Sequence, residues 1–310
     1  MKIAKRIFLF VLVNVLIIAT ISTVLSVAGI QPYLNAKGIN YQSLLAFCLI
    51  WGFGGAFISL ALSKVMAKWM MGVQVLDPNS PEVISDPALR SLVDRVHHFA
   101  RKAGIETMPE VGYYESQDLN AFATGPTRNR ALVAVSTGLL QNMNSQELDG
   151  VLAHEVAHIA NGDMVTMTLV QGVVNTFVMF LARIAAFFAS QLVSDDKRNV
   201  VQFVTTLVLE IVLGVLGMIV VAFVSRKREY RADFGGATLA SSASMISALE
   251  RLKLNMQLPQ DEDENQPALA SLKISGKSGS FLSLFSTHPD LDDRIAKLNS
   301  QKWDVLAHKG

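Results

Sequence analysis

The sequence predicts a mainly α-helical membrane protein, with four transmembrane helices and a soluble α+β part that contains a small β-sheet. Hydrophobic residues make up 51% of the 310 residues and charged residues only 17%, whereas soluble domains average about 25% charged. Four stretches are apolar enough to cross a bilayer, which takes roughly 20 such residues. The net charge of +1 gives no electrostatic case for a nucleic-acid partner.

The predicted spans divide the chain into four parts. The spans are residues 7–30, 41–63, 164–182 (continuing past Arg183 to residue 193) and 199–225. The parts are an N-terminal hairpin (1–63), a first soluble part (64–163), a second hairpin (164–225) and a second soluble part (226–310). The first span could be read as a signal peptide, but it exceeds the roughly 7–15 apolar residues usual there. We therefore expect it to cross the membrane.

Basic residues flank the spans on one side of the membrane. They precede the first span and follow the second and fourth: Lys2, Lys5, Arg6, Lys64, Lys68, Arg226, Lys227, Arg228 and Arg231. Because cytoplasmic loops carry the excess of lysine and arginine, we expect both termini and both soluble parts to be cytoplasmic.

Two charged residues interrupt the apolar stretches, Arg183 after the third and Glu210 within the fourth. Charges inside a membrane are costly and are usually paired or functional. The two spans are sequential and antiparallel, so we expect these residues to pair as a structural lock. The alternative is that each side chain reaches the membrane surface separately.

The sequence of the first soluble part predicts a helix followed by β-structure. Asp86 and Pro87 are a capping residue and a first-turn proline, and apolar residues recur at helical spacing as far as Gly104. Residues 109–136 alternate as strands do. One segment there is a candidate edge strand: Asn120, Ala121, Phe122 and Ala123. It is either a plain hairpin arm or an edge to which an extended peptide adds by backbone hydrogen bonds.

Residues 145–161 predict a helix with a metal-binding motif. Asn144, with Glu147 three residues later, resembles a capping box. His154 and His158 stand four apart and so point the same way, at a separation suited to two ligands of one zinc ion. Glu155 lies about 100° round the helix axis from His154. Its carboxylate can therefore reach an attacking water without joining the coordination shell.

This arrangement suits metal-assisted peptide hydrolysis. The metal polarises the scissile carbonyl and activates water, while the carboxylate carries the proton from that water to the leaving amine. The five-residue sequence HEVAH (154–158) also arises by chance, as two half-exposed histidines on a surface helix. The surrounding sequence must therefore decide whether it binds a metal.

The context supplies a third ligand. A catalytic zinc takes three protein ligands and keeps one open position. The third and fourth spans form a hairpin, so we expect Glu229 to return beside His154 and His158; the alternative is an ion pair with its basic neighbours. Asp233, one turn later, is placed to accept a hydrogen bond from a ligand histidine. A single cysteine excludes a cysteine-rich site, so we expect one Zn²⁺ per chain on histidine and carboxylate.

Six segments spread over nearly the whole chain resemble a known family. They read GFGGAFISL (52–60), NAFATG (120–125), LVAVSTGLLQNM (132–143), HEVAHIANGDMVTMTLVQGVVNTFV (154–178), SRKREYRAD (225–233) and STHPDLDDRI (286–295). With these motifs the chain is similar to the HtpX family, the bacterial inner-membrane heat-shock zinc metalloproteases, which belong with the CAAX prenyl protease-like gluzincins.

The resemblance implies a gluzincin-type fold with the same three zinc ligands and Glu155 as general base. It further implies that segment 120–123 is the substrate-binding edge strand. His288 and Arg294 match family residues thought to position substrate and stabilise the oxyanion. The chain has Pro289-Asp290 where two prolines are usual, so the loop at His288 departs from the family pattern.

The resemblance also implies a cellular role. The family acts in membrane-protein quality control and the stress response, as multi-pass proteins of the bacterial cytoplasmic (inner) membrane. The expected partners are protein substrates, above all membrane proteins, together with the lipid bilayer and other membrane proteases.

Two rival functions fit the sequence less well. An intramembrane protease would carry the motif inside a span, whereas here Asp149 and Asp163 flank it at a high cost within lipid. A zinc-binding scaffold or transporter without hydrolysis would fill all four coordination positions with ligands. It would also carry ligating residues in its spans, where only Arg183 and Glu210 are charged.

Overall fold

The computed structural model describes residues 41–257 and 286–300. In chain order its elements are α1 (Tyr41–Met71), β1 (Gln74–Leu76), α2 (Pro81–Ser85), α3 (Pro87–Lys102), β2 (Glu110–Tyr114), β3 (Ala121–Thr124), β4 (Leu132–Ser136), α4 (Thr137–Asn142), α5 (Ser145–Asn161), α6 (Asp163–Ser190), α7 (Arg198–Leu239), α8 (Ser242–Gln257) and α9 (Leu291–Asn299). Helices dominate and the described sheet is small, which confirms these two features of the predicted fold class.

The chain divides into two compact units. Among the described residues, the first comprises 41–59 and 167–221, and the second comprises 60–166, 222–257 and 286–300. Within the described ranges three helices are long and apolar enough to cross a membrane: Ser43–Met71, Asp163–Ser190 and Arg198–Leu239. They correspond to the second, third and fourth predicted spans. The first predicted span, 7–30, lies outside the described residues.

Helices α1 and α6 approach closely within the first unit. A Cβ added to Gly52 would stand 2.7 Å from the backbone nitrogen of Thr176 and 2.8 Å from the carbonyl oxygen of Gly172. The Thr176 hydroxyl donates to that same carbonyl at 2.7 Å. Small residues allow such backbone approaches between apolar helices, and a larger side chain at Gly52 would force α1 and α6 apart.

The charged pair of the first unit forms as predicted. Arg183 of α6 donates from Nη1 to Oε1 of Glu210 on α7 at 2.5 Å. The same nitrogen reaches the carbonyl of Met179 at 3.2 Å, and the guanidinium carbon lies 5.3 Å from the ring centroid of Phe47. The cation is thus held by a carboxylate, a carbonyl and a π-face, which offsets the cost of placing it among apolar helices.

The second unit contains a four-stranded sheet in the order β1-β2-β4-β3. Strands β2 and β4 are parallel, and the other two pairs are antiparallel. All five residues of β4 are buried. Strand β3 stands at an edge of this sheet and begins at Ala121, while Asn120 precedes it and bonds to Ser136: the Ser136 amide donates to the Asn120 carbonyl at 2.9 Å.

The core of the second unit lies between the sheet and helices α3 and α5. Its fully buried residues include Leu92, Val96, Val111, Val133, Val135, Leu152, Val156 and Ile159. Helix α3 begins as predicted, with the Asp86 carboxylate accepting from the amides of Ala88 and Leu89. The apolar face of α5, with Leu152, Val156 and Ile159, is therefore buried in this core.

Helix α7 continues well beyond the predicted span. The apolar stretch ends near residue 225, but the helix runs to Leu239. Lysine, arginine and glutamate favour helices as strongly as most apolar residues do, so the change in polarity marks the end of the apolar stretch and not the end of the helix. The extension carries the SRKREYRAD segment.

Candidate metal centre

Local sequence signals set the position of α5. The side chain of Asn144 accepts from the amides of Gln146 and Glu147, and the Glu147 carboxylate accepts from the Asn144 amide, which completes the predicted capping box. The helix covers Ser145–Asn161, as predicted. His154 and His158 therefore lie on adjacent turns of one face, with ring centroids 4.6 Å apart. Their Nε2 atoms are 3.1 Å apart.

Close backbone packing brings α7 against this helix. A Cβ added to Gly236 would lie 3.1 Å from the backbone nitrogen of His154 and 2.6 Å from the sulfur of Met245. One added to Gly235 would lie 2.6 Å from the Cβ of Ala157. Both glycines let the end of α7 lie directly on α5, so the preceding two turns of α7 face the histidines.

Glu229 completes a three-residue cluster. Its Oε2 lies 3.6 Å from Nε2 of His154, and its Oε1 lies 3.4 Å from Nε2 of His158. One ligand atom from each of the three side chains lies within 4.8 Å of the others. The structure thus brings together the residues that the sequence predicted to converge.

The cluster has the ligand types that a metal requires, and one of its carboxylate oxygens accepts no hydrogen bond within the described part of the chain. The Glu229 side chain is only 2% exposed. Its Oε1 is buried and accepts no hydrogen bond from any described residue. The basic neighbour Arg228 comes no nearer to Oε1 than 3.9 Å, from Nη2, and Nε2 of His158 lies 3.4 Å away. A buried anionic oxygen without a donor is costly, and a cation held between it and two imidazole nitrogens would remove that cost. His154, His158 and Glu229 therefore fit a divalent metal ion.

The electrostatics around the histidines are strongly anionic. Burial opposes the protonation of His158, but Asp163 and Glu229, together with the charge of Glu155, raise the pKa of His158 to about 9. Burial likewise opposes the protonation of His154, but Asp233 and Glu229 raise its pKa above the usual value. Positive charge is favoured at this point of the structure, and a metal ion supplies it without protons.

Each histidine turns its other ring nitrogen toward an aspartate. Nδ1 of His154 lies 3.0 Å from Oδ1 of Asp233, the residue predicted for this role. Nδ1 of His158 lies 2.5 Å from Oδ2 of Asp163. The sequence did not predict this contact of Asp163. The signal for it was Gly162, since a glycine at the end of a helix commonly reverses the chain and so directs the next residue back toward the helix.

His288 and Arg294 occupy different environments beside the cluster. His288 is 65% exposed, and its Nδ1 lies 2.8 Å from Oε2 of Glu229. Arg294 of α9 is buried and donates to both carboxylate oxygens of Asp233, from Nε at 2.8 Å and from Nη2 at 2.5 Å. Its Nη1 is also 3.7 Å from Oε2 of Glu229. The Arg294 guanidinium is therefore engaged with carboxylates of the protein.

The remaining predicted residues lie on α5 and at the sheet edge. Glu155 is partly exposed, next to His154 on α5. Residues 121–124 form β3, whose side chains are all partly exposed. The Phe122 ring packs against Tyr114 with centroids 5.7 Å apart. One edge of β3 pairs with β4, and the other has no strand partner among the described residues.

Comparisons with known proteins identify the family of the chain. The model of Peptidase family M48 matches residues 87–302. A protein named Protease HtpX homolog from Bacillus velezensis is 53% identical over 302 residues, covering 96% of this chain and 100% of the relative. Homologs of the same name from Bacillus subtilis and Methylacidiphilum infernorum are 52% and 50% identical, covering 96% and 95% of this chain and 100% and 98% of the relatives.

A solved structure shares the fold. The crystal structure of S. mikatae Ste24p aligns with a TM-score of 0.57 at 15% identity, covering 94% of this chain and 66% of that one. The family match spans most of the chain, and the relatives match it almost end to end. The chain belongs to peptidase family M48, and it is a membrane metalloendopeptidase of the HtpX type.

Proposed function

We propose that the chain is a zinc-dependent endopeptidase that cuts misfolded or damaged membrane proteins at the cytoplasmic face of the bacterial inner membrane, as part of quality control under stress. The observation that carries the proposal is the buried cluster of His154, His158 and Glu229, with one carboxylate oxygen unsatisfied and Glu155 alongside. The basic residues flanking the spans support the cytoplasmic side.

The three clustered side chains would hold the zinc ion. Two imidazoles and one glutamate form a donor set found in catalytic zinc sites, and this set leaves one position open for water or substrate. With an ion held there, the site would gain a Lewis acid able to polarise a scissile carbonyl and activate water. His154 and His158, in their neutral form, would offer Nε2 to it, the atoms that face Glu229.

Glu155 would act as the general base and then as the general acid. It follows His154 directly in α5, so helix geometry turns its carboxylate away from the ligand positions and toward the space beside them. There it accepts the proton of the attacking water and returns it to the leaving amine. Removing a positioned acid–base group typically costs about 10²–10⁴ in rate.

Strand β3 would bind the substrate as an added strand. An extended peptide paired along its free edge would form backbone hydrogen bonds of little sequence specificity. That mode of recognition suits damaged proteins, which share exposed backbone and not a common sequence. Asn120 would mark the start of this edge, with Ala121, Phe122 and Ala123 continuing it.

His288 and Arg294 would act in different ways. The exposed ring of His288 is next to Glu229 and is free to contact substrate and help stabilise the oxyanion. Arg294 is buried on Asp233, so we assign it to holding Asp233 against His154, in place of the substrate contact expected from the family resemblance.

The Glu155→Gln variant tests this function. We expect the purified variant to bind one zinc ion per chain as the wild type does, and to lose at least about 100-fold in the zinc-triggered digestion of a misfolded membrane protein. Glu106→Gln, a change at an exposed glutamate, serves as the matched control and should keep full activity. Full activity of Glu155→Gln would refute the assigned mechanism.

A further inference from the structure

Asp163 stands at the junction of α5 and α6. Helix α5 ends at Gly162, which adopts φ 68° and ψ 33°, and whose amide donates to the carbonyls of His158 and Ile159. This left-handed conformation suits glycine and strains other residues. The turn sends the next residue back toward the helix it has just left. As a result the Asp163 carboxylate, five residues after His158, meets the ring of that histidine.

The contact is buried and direct. Oδ2 of Asp163 lies 2.5 Å from Nδ1 of His158, and the Asp163 side chain is 3% exposed. The other ring nitrogen of His158, Nε2, faces Glu229 and His154. A carboxylate at Nδ1 requires the proton on that atom, which leaves the lone pair of Nε2 directed into the cluster.

The two aspartates differ in how their charge is balanced. Asp233 lies beside Nδ1 of His154, but both of its oxygens also accept hydrogen bonds from the Arg294 guanidinium. Within the described ranges 41–257 and 286–300, the Asp163 carboxylate forms an ion pair and a hydrogen bond with His158 alone. A carboxylate shared with a guanidinium attracts the imidazole proton less than one whose charge is directed at the imidazole alone.

We propose that Asp163 is a positioning residue for the metal site, which holds His158 in the metal-binding tautomer and makes it the more electron-donating of the two histidine ligands. This inference rests on the proposed metal site. Carboxylates that bond to ligand histidines typically contribute about 10–100-fold to metal affinity. Asp163 therefore contributes to metal affinity from outside the HEVAH sequence (154–158).

The test measures zinc affinity without hydrolysis. In a Glu155→Gln background, zinc is titrated against a competing chelator for the parent, Asp163→Asn, Asp163→Ala and the exposed control Asp94→Asn. We expect Asp163→Asn to weaken zinc binding about 10–100-fold and Asp163→Ala to weaken it further, because asparagine can still accept from Nδ1. Asp94→Asn should match the parent.

A second measurement does not depend on how the variants fold. In the zinc-loaded parent, labelled with ¹⁵N-histidine, the Nδ1–H proton of His158 should resonate further downfield than that of His154. Zinc affinity of Asp163→Asn within twofold of the parent, or equal Nδ1–H shifts for the two histidines, would overturn the inference alone. A parent that binds no zinc would overturn the proposed function as well.

Discussion

Helix α7 carries two glutamates with different surroundings, Glu210 in the first unit and Glu229 in the second. Glu210 is 25% exposed, and Arg183 meets it at 2.5 Å. Glu229 is 2% exposed and lies near three histidines, while its Oε1 has no hydrogen-bond donor among the described residues.

These different surroundings distinguish a glutamate with a structural role, Glu210, from a candidate metal ligand, Glu229. A guanidinium at hydrogen-bond distance balances the charge of Glu210, so nothing further is needed. Histidines balance Glu229 fully only when they are protonated, and a protonated histidine cannot bind a metal. Among the described residues, the arginines nearest to Glu229 stay 3.7 and 3.9 Å away, beyond hydrogen-bond distance. A buried carboxylate that faces several histidines, with one oxygen that accepts no hydrogen bond, therefore indicates a metal site, whereas a carboxylate with arginine at hydrogen-bond distance does not.

The largest expected effect comes from exchanging each carboxylate for its amide. Glu229→Gln removes the anionic ligand, so we expect zinc affinity to fall by more than the roughly 100-fold that outer partners contribute, with loss of peptidase activity. Glu210→Gln should retain one zinc ion per chain. Metal analysis and chelator competition on both purified variants measure zinc content and zinc affinity. Equal zinc retention by the two variants would contradict the assignment of Glu229, and not Glu210, as a metal ligand.

A smaller effect is expected from breaking the pair in the first unit. Arg183→Leu leaves Glu210 unpaired among apolar helices, and a lone charge there costs about 2–4 kcal/mol. The double variant Arg183→Leu with Glu210→Leu should recover most of that loss, since neither charge remains. Unfolding in detergent measures both. A double variant no more stable than the single one would show that the pair does not act as a lock.

The smallest effect concerns a third carboxylate, that of Glu110, which is partly exposed. Glu110 meets Lys64 at 2.7 Å and Lys68 at 2.6 Å and is 39% exposed. Burial opposes its ionisation, but the two ammonium groups hold the pKa of the Glu110 carboxyl below its usual value. The resulting stability is present above the unfolded-state pKa of about 4.3 and is lost as the pH falls through the folded pKa.

We expect Glu110→Gln to lower the free energy of unfolding at pH 7 by about 0–1 kcal/mol, the usual range for exposed ion pairs. The difference from wild type should shrink as the pH falls below about 4. Denaturant unfolding at both pH values measures it. A difference that grows on acidification would have the wrong sign for a carboxylate with a lowered pKa.

Local sequence signals predicted some of these features and missed others. The capping box and the apolar periodicity predicted α5 over 145–161, because both act within a few residues. The pairing of Arg183 with Glu210 followed from the cost of charge in an apolar span. The convergence of Glu229 on the histidines followed from the hairpin of two spans.

Other features depend on contacts that no local pattern encodes. The bidentate bond between Arg294 and Asp233 joins residues 61 apart in sequence, and the parallel pairing of β2 with β4 depends on the whole sheet. The role of Asp163 depends on the left-handed turn at Gly162, for which the sequence offers only the glycine itself. Metal identity and cleavage specificity depend on molecules beyond the chain.

Anomalous diffraction at the zinc edge, on crystals of the Glu155→Gln variant, tests the metal site most directly. We predict one zinc peak per chain, about 2.0–2.2 Å from Nε2 of His154, Nε2 of His158 and a carboxylate oxygen of Glu229. A zinc peak bound by other residues, or one that leaves Glu229 outside the coordination shell, would contradict the site.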